Sequence, residues 1–248
     1  MRCKRKVAAH EPYETDPLYG GPKYEAIAAF GSLCEIENLS AVSKANELCN
    51  AYSLDVISTG NVIAFAMECY SKGILSKKDA DGLELSFGNV DAMLQLVDMI
   101  AFRRGIWNLL ADGVKRAAQK IGKGSSRFAL HVKGQELPMH EPRGKAGVGL
   151  GYAVSPSGAD HLQNARDGVF IKPSKSVEPL TVTEGVDPDS LNADKVRLFV
   201  YGQLWWGLLD CVDACKFIFI PHPAGVLGTN HLVELVNAST GWETSLWS

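Results

Sequence analysis

Two cysteines near the carboxy-terminal end of the sequence, Cys211 and Cys215, are spaced for metal chemistry. They lie four residues apart, so a helix would place them one turn from each other. Thiolates are soft ligands that suit zinc and iron–sulfur clusters. A structural zinc site normally needs a second pair of Cys or His ligands. No such pair stands near these cysteines in the sequence, so the spacing disfavours a zinc protein.

Acid–base chemistry could come from Glu25, which follows Tyr24, and from His161. A carboxylate in a dry pocket or a well-placed imidazole can move protons during a reaction. Both residues also have simpler interpretations. A glutamate here is typical of the first turn of a helix, where it interacts favourably with the helix dipole. His161 could equally be a structural histidine in a loop, so residue type alone leaves both alternatives open.

Asp55 stands directly before a run of apolar and small residues that includes Ser58, Thr59 and Gly60. This position predicts a helix N-cap. A carboxylate can also accept two adjacent N–H groups of a planar ligand in a charge-assisted pair, and the two roles can coexist. The three small residues would let another group approach the backbone closely.

A glycine-rich run occupies residues 144–151, with Arg143 just before it. Its Gly-x-Gly-x-Gly pattern is not a dinucleotide fingerprint, because the required strand–turn–helix context is missing. Arg143 could contact a phosphate, but a surface salt bridge is the favoured interpretation. Trp205 and Trp206 are interpreted as aromatic residues of a core or a domain interface.

Hydrophobic periodicity predicts a mainly α, multihelical protein with two helical subdomains and a few short strands. A Gly-Ser linker at 122–126 suggests a boundary near residue 125, which divides the chain into domains 1–125 and 126–248. The predicted N-cap of the second helix is Ser40. Helices are predicted over 23–30, 40–53, 55–70, 90–102, 106–121, 191–207 and 231–237, with a strand over 128–132 and a surface loop over 172–188.

Composition narrows the class of protein. The chain has 248 residues, of which 46% are apolar and 21% charged, and a net charge of -3. These values are typical of a globular domain and give no sign of nucleic-acid binding. The most apolar run, 62–67, is too short to span a membrane. The basic first residues are not followed by a signal-peptide-like stretch, and the six cysteines are scattered. We therefore expect a cytoplasmic protein without a disulfide scaffold.

Four segments, in order along the chain, resemble the aldehyde ferredoxin oxidoreductase family. Each is weak alone, but together they cover nearly the whole sequence. They are Gly-Pro-Lys-Tyr-Glu at 21–25, Leu-Asp-Val-Ile-Ser-Thr-Gly-Asn at 54–61, the glycine-rich segment 147–153 with Gly-Ala-Asp-His at 158–161, and Asp-Cys-Val-Asp-Ala-Cys-Lys-Phe at 210–217. The tail at 237–242 also fits.

The resemblance implies a tungsten or molybdenum ion held by two pterins beside a 4Fe-4S cluster. A magnesium ion is also compatible with it. It implies Cys3 and Cys215 as metal ligands of the cluster. The implied cofactor-binding residues are Asp55, Thr59, Asp210, Ala214 and Cys215. The implied catalytic residues are Tyr24, Glu25 as general base, and His161 as a hydrogen-bonding partner of the substrate oxygen.

The resemblance also implies an activity: oxidation of a small-molecule aldehyde, or a related carbonyl compound, with electrons passed to ferredoxin or a ferredoxin-like subunit. Homo-oligomers are compatible with it. Two cluster cysteines and a pterin-binding first domain would precede Cys3, so we expect this chain alone to be inactive. The alternative is a non-catalytic fragment or accessory helical subunit that needs a separately encoded amino-terminal half.

Four positions depart from the family pattern. Asp160 stands where the family often has Cys, and Gln163 stands where a basic residue is frequent. Asp213 and Ala214 replace the usual Gly-Leu before Cys215. The departures at Asp160 and Gln163 suggest a separate branch with a different substrate, whereas Asp213 and Ala214 affect the expected geometry around the second pterin.

Overall fold

The computed structural model describes residues 5–7, 11–164, 166–172, 178, 184–219 and 227–247. Within these ranges the chain is mainly α-helical, which confirms the predicted fold class. No helix in this part of the chain is both long and apolar enough to cross a membrane. The chain divides into two compact units. Unit 1 contains Met1–Met139 and Ser157–Ala159, and unit 2 contains His140–Pro156 and Asp160–Ser248. The domain boundary near residue 125 stays a prediction.

Unit 1 consists of helices and one β-hairpin. Its helical elements are α1 (Tyr24–Ala26), which continues as the π-helix Ile27–Ser32, then α2 (Leu39–Ala51), α3 (Val56–Ser71), α4 (Val90–Ala101), the 3-10 helix Gly105–Asp112, and α5 (Val114–Ile121). Short 3-10 helices cover Pro17–Tyr19 and Ser125–Arg127. The hairpin pairs β1 (His131–Val132) with β2 (Gln135–Glu136) in antiparallel register.

Short polar side chains begin three of these helices. Asn38, Asp55 and Asn89 each accept a hydrogen bond from a backbone N–H in the first turn of α2, α3 and α4. Such a cap typically stabilises a protein by about 1 kcal/mol. Asp55 is therefore confirmed as an N-cap. Ser40 is not a cap, because α2 begins earlier and Asn38 takes that role.

The helix predicted over 106–121 is interrupted at Gly113. This glycine has a φ of 84°, in the left-handed region that ends a helix. The carboxylate of Glu136 then accepts a hydrogen bond from the Val114 N–H at 2.6 Å. A Cβ at Gly113 would lie 2.8 Å from that carboxylate. The break therefore lets a residue of β2 cap the start of α5.

Unit 2 consists of helices separated by irregular segments. Its elements are the 3-10 helix Pro142–Gly144, α6 (Ala146–Val154), the 3-10 helix Asp167–Val169, α7 (Ala193–Cys211), α8 (Lys216–Phe219) and α9 (Thr229–Thr240). Most of the glycine-rich run thus lies in α6. Hydrophobic periodicity did not predict this helix. The loop predicted over 172–188 falls largely on residues 173–177 and 179–183, which lie outside the described ranges.

Two buried charges fix the start of α6. The carboxylate of Asp167 accepts hydrogen bonds from the backbone N–H groups of Gly147 at 3.0 Å and Val148 at 3.1 Å. Lys195 of α7 forms an ion pair with the same carboxylate, and both side chains are 2% exposed. A Cβ at Gly147 would lie 2.7 Å from Asp167. Glycine therefore allows the carboxylate to reach the first turn of the helix.

Each unit has its own hydrophobic core. The core of unit 1 contains residues of α2, α3, α4 and α5, with Phe30 and Trp107 among its largest members. In unit 2, Trp205 and Trp206 are 2% and 3% exposed and pack in a cluster with Leu209 of α7. This packing confirms the interpretation of the two tryptophans as core residues.

Three cysteines belong to the core of unit 1. Cys34, Cys49 and Cys69 are fully buried. Burial raises the pKa of Cys34 and Cys49 to about 12 and that of Cys69 to about 11. These thiols stay protonated near neutral pH and act as small apolar side chains. Cys211 and Cys215, in contrast, are exposed.

Because three thiols are buried, we expect the folded protein to become less stable relative to the unfolded chain at alkaline pH. A thiol in the unfolded chain titrates near 9.0, whereas Cys34 in the folded chain has a pKa of about 12. Above pH 9.0 the unfolded state loses its proton first. We therefore expect the free energy of unfolding to fall by up to about 1.4 kcal/mol per pH unit for this thiol as the pH rises through that interval. Urea unfolding at neutral and alkaline pH measures this decline.

The Cys34→Ala variant provides the comparison, because other groups also titrate at alkaline pH. Its free energy of unfolding should fall less steeply with pH than that of the wild type. Equal slopes for the two proteins would contradict the assignment of this pH dependence to the buried thiol.

Candidate active site

Tyr24 and Glu25 both bind the main chain at Met139. The Tyr24 hydroxyl donates a hydrogen bond to the Met139 carbonyl oxygen at 2.8 Å. The Glu25 carboxylate accepts one from the Met139 N–H, also at 2.8 Å. Tyr24 is 58% exposed, while Glu25 is half-buried. The two side chains thus anchor the segment after the β-hairpin, and this anchoring fixes the orientation of the Glu25 carboxylate.

Asp55 and Thr59 together form the first turn of α3. Asp55 Oδ1 accepts a hydrogen bond from the Ser58 N–H at 2.7 Å, and the Thr59 hydroxyl donates to the Asp55 carbonyl oxygen at 2.7 Å. Thr59 is 5% exposed, so its side chain supports the turn from inside. Asp55 is exposed, and its carboxylate can therefore cap the helix and still contact a ligand.

The start of α3 contacts the same segment that Tyr24 and Glu25 hold. The Ser58 hydroxyl donates to the Glu136 carboxylate at 2.9 Å, and the Asn61 side-chain amide donates to the Leu137 carbonyl oxygen at 3.1 Å. Residues 136–139 therefore link the two predicted motifs of unit 1.

Gly60 permits the close packing of α3 against the π-helix that follows α1. A Cβ at Gly60 would lie 2.6 Å from the Cβ of Ala29 and 2.9 Å from its backbone carbon. The group expected to approach the small residues of α3 is therefore the backbone near Ala29. This contact places the first turn of α3 close to the helix that carries Glu25.

In unit 2, Lys216 connects the end of α7 to the loop that contains His161. Its ammonium group lies 2.7 Å from the Asp210 carboxylate and donates to the Leu162 carbonyl oxygen at 3.0 Å. The Lys216 side chain is 15% exposed, and that of Asp210 is 65% exposed. The structure thus brings Asp210 and His161 to one region of unit 2, through a lysine to which the sequence assigned no role.

A small pocket lies in this region. Its volume is about 20 Å³, enough for about one water-sized group. His161, Arg166 and Lys216 line it together with the aromatic Trp206 and Phe217. The lining is mostly apolar, and the Lys216 ammonium group is already bound by the Asp210 carboxylate and the Leu162 carbonyl oxygen, so the pocket alone does not indicate a ligand.

Cys215 follows a tight turn at the end of α7. The Ala214 N–H donates to the Leu209 carbonyl oxygen at 2.8 Å. Asp213 has a φ of 54°, in the left-handed region. Glycine adopts this conformation most easily, and aspartate tolerates it. The departure from the family's glycine therefore keeps a backbone conformation suited to glycine, and the thiol of Cys215 stays exposed. Cys3 lies outside the described residues.

The other two departures from the family pattern interact with each other. The Asp160 carboxylate accepts a hydrogen bond from the Leu162 N–H at 2.8 Å and another from the Gln163 side chain at 2.9 Å. Asp160 and Gln163 are thus hydrogen-bonded to each other on either side of His161 in the sequence.

Arg143 is a surface residue. It forms a bidentate salt bridge with Glu141, and its side chain is 89% exposed. The Arg143 guanidinium lowers the pKa of the Glu141 carboxyl to about 2. This contact confirms the salt-bridge interpretation.

His140 is a residue that sequence patterns did not identify. It is 4% exposed, and its ring stacks on that of His161 with the centroids 4.8 Å apart. The two histidines are separated by 21 positions in the sequence, so no local spacing signal could pair them. The candidate residues of unit 1 are thus Tyr24, Glu25, Asp55 and Thr59, and those of unit 2 are His140, His161, Asp210, Ala214 and Cys215.

Comparison with known proteins gives a family match along the whole sequence. The family model described as aldehyde ferredoxin oxidoreductase, domains 2 & 3, matches residues 1–248. The tungsten-containing aldehyde ferredoxin oxidoreductase of Thermococcus kodakarensis is 34% identical over 226 residues, which are 91% of this chain and 35% of that protein. This chain therefore spans about a third of the length of that relative.

Two further similarities cover less of the chain. The WOR-like subunit of an aliphatic sulfonate oxidoreductase from Pyrococcus furiosus is 37% identical over 160 residues, which are 62% of this chain and 25% of that protein. A solved structure of the active-site complex of a benzoyl-coenzyme A reductase with 1,5-dienoyl-CoA has a TM-score of 0.48 and 28% identity. The match covers 62% of this chain and 22% of that one.

Proposed function

Because the chain belongs to the aldehyde ferredoxin oxidoreductase family, we propose that it forms the carboxy-terminal portion of a tungsten- or molybdenum-pterin, iron–sulfur oxidoreductase. The substrate is an aldehyde or a related carbonyl compound. One observation carries the proposal. The exposed residues Cys215 and Asp210 flank a single turn, and Lys216 connects this turn to the loop of His161 by binding both the Asp210 carboxylate and the Leu162 carbonyl oxygen. A cluster ligand, a pterin anchor and a catalytic residue would then lie in one region of unit 2.

The side chains present fit these cofactors. Cys215 is exposed, unlike the three core cysteines, so its thiolate is accessible to iron. Asp55 and Asp210 are exposed carboxylates and can accept the adjacent N–H groups of a pterin edge. Thr59 and Ala214 support the two turns from which these carboxylates project.

The metal–pterin centre and the cluster, when bound, supply the two-electron oxidation of the carbonyl carbon and the onward transfer of single electrons. Conversion of an aldehyde and a water molecule to a carboxylic acid releases two protons together with the two electrons, and Glu25 acts as the general base that takes one of these protons while the other passes to solvent. Its hydrogen bond with the Met139 N–H holds the carboxylate in place. His161, which lines the small pocket of unit 2, donates a hydrogen bond to the substrate oxygen. Tyr24 keeps the Met139 main chain in position.

Substrate and partners follow from the family and from the local sequence. The hydrogen-bonded pair of Asp160 and Gln163 places a carboxylate next to His161, where many family members have a thiol and a basic residue. This change favours a substrate that differs from simple aldehydes. The electron acceptor in this proposal is ferredoxin or a ferredoxin-like subunit. The pterin site is completed by an amino-terminal portion such as the longer relatives possess.

Metal analysis tests the proposal directly. The chain is purified anaerobically, alone and together with the amino-terminal portion, and iron, sulfide, tungsten and molybdenum are quantified. We expect the pair to hold about four irons and a single tungsten or molybdenum, and Cys215→Ser to remove the iron because one cluster ligand is lost.

Cys211→Ser is the matched control, because Cys211 is also an exposed cysteine near the end of α7. Its iron content should equal that of the wild type. If neither preparation binds metal, the proposed function is wrong. The chain would then be a helical remnant or an interaction module.

A further inference from the structure

His140 is held on three sides within unit 2. Its ring stacks on His161 at an interplanar angle of 29°. Its carbonyl oxygen accepts a hydrogen bond from the Tyr152 hydroxyl at 3.0 Å. The Lys145 ammonium group lies 3.4 Å from its Nδ1 atom. The residue is 4% exposed, with its backbone held by Tyr152 and its ring held by His161 and Lys145, so the ring has little freedom to rotate.

The contact with Lys145 determines where His140 carries its proton. An ammonium group has three donors and no acceptor, so a hydrogen bond to Nδ1 requires that this nitrogen accept. An accepting Nδ1 carries no proton. The single proton of the ring is then on Nε2, and the ring is uncharged.

Lys145 is itself placed by the buried ion pair of unit 2. It immediately precedes α6, whose first turn is fixed by Asp167. The Ala146 N–H donates to the Pro188 carbonyl oxygen at 3.0 Å, and Lys195 donates to the same oxygen at 3.3 Å. The main chain on the carboxy-terminal side of Lys145 is therefore anchored, and its side chain reaches His140 from a fixed position.

We propose that His140 is a second imidazole of the active site, kept by Lys145 in the uncharged Nε2–H tautomer, and that it positions His161 by stacking. Two positively charged rings this close would repel each other. An uncharged His140 lets His161 gain or lose a proton without disturbing the stack. Lys145 and His140 are positioning residues, and this role rests on the proposed function of His161.

Nitrogen NMR of the full chain, labelled with ¹⁵N-histidine, tests the tautomer at neutral pH. We expect the His140 signals, identified by their absence in His140→Phe, to show one protonated nitrogen, Nε2, and an unprotonated Nδ1. Lys145→Met should give a mixture of tautomers, because the donor is lost. Lys145→Arg should restore the single tautomer, because arginine also has only donors.

His231 is an internal control. Its Nδ1 accepts a hydrogen bond from the Gly228 N–H at 2.9 Å, so its tautomer should not respond to any change at Lys145. A proton on His140 Nδ1 in the wild type, or identical His140 signals in Lys145→Met and the wild type, would overturn the inference. The measurement needs neither cofactor nor turnover. The two proposals can therefore fail separately. If the NMR result is as expected but the chain never assembles with metal, the tautomer assignment stands and the proposed function of the site is rejected.

Discussion

Replacing Lys195 by methionine should lower the free energy of unfolding of unit 2 by about 3–5 kcal/mol, because it leaves the buried Asp167 charge without its partner. Both side chains are 2% exposed, so water cannot compensate. The backbone N–H groups of Gly147 and Val148 would remain the carboxylate's other partners. Urea unfolding followed by tryptophan fluorescence measures the effect, since Trp205 and Trp206 lie in the core of unit 2.

A double-mutant cycle separates the ion pair from simple loss of packing. Asp167→Asn combined with Lys195→Met should be less destabilised than the sum of the two single variants, because it leaves no unpaired charge. Lys120→Met is the surface comparison. Lys120 is 49% exposed in its salt bridge with Asp112, so its loss should cost about 1 kcal/mol at most. Equal effects of Lys195→Met and Lys120→Met would contradict the importance of the buried pair.

Local sequence signals predicted the parts of the fold that depend on neighbouring residues. Helix α3 follows the capping aspartate Asp55 at the expected position. Helix α4 also begins at the expected residue, because its apolar face repeats at helical spacing. The small residue Gly60 indicated a close backbone contact, and the structure shows Ala29 there. For the two helices the determining groups lie within a few residues of each other. Gly60 indicated only that some group packs closely against it, and not that its partner is Ala29, 31 positions earlier in the sequence.

Features that depend on distant residues were not predictable in this way. The glycine-rich run is helical because Asp167, about 20 residues later, caps it, and Lys195, 28 residues further on, neutralises that carboxylate. The helix over 106–121 breaks because Glu136 of the β-hairpin caps α5. Periodicity within a window contains no information on these pairs. The stacking of His140 on His161 was missed for the same reason.

Replacing Glu25 by glutamine should reduce kcat by about 10²- to 10⁴-fold, the usual contribution of a general base. The substitution is nearly isosteric. The amide oxygen of glutamine can still accept the hydrogen bond of the Met139 N–H, which the carboxylate accepts at 2.8 Å in the wild type. The main chain should therefore stay in place while the proton acceptor is lost. Aldehyde oxidation by the metal-loaded assembly of this chain with the amino-terminal portion measures the effect.

Two comparisons decide whether the loss reports proton transfer. Iron and tungsten or molybdenum contents must match the wild type, because Glu25 is not among the proposed cofactor ligands. Glu37→Gln removes the same charge from an exposed residue of unit 1 and should leave kcat unchanged. Wild-type kcat in Glu25→Gln with normal metal content would reject Glu25 as the base. Holding the main chain at Met139 would then be a sufficient explanation of the position of Glu25, because a residue that anchors the main chain tolerates the loss of its charge.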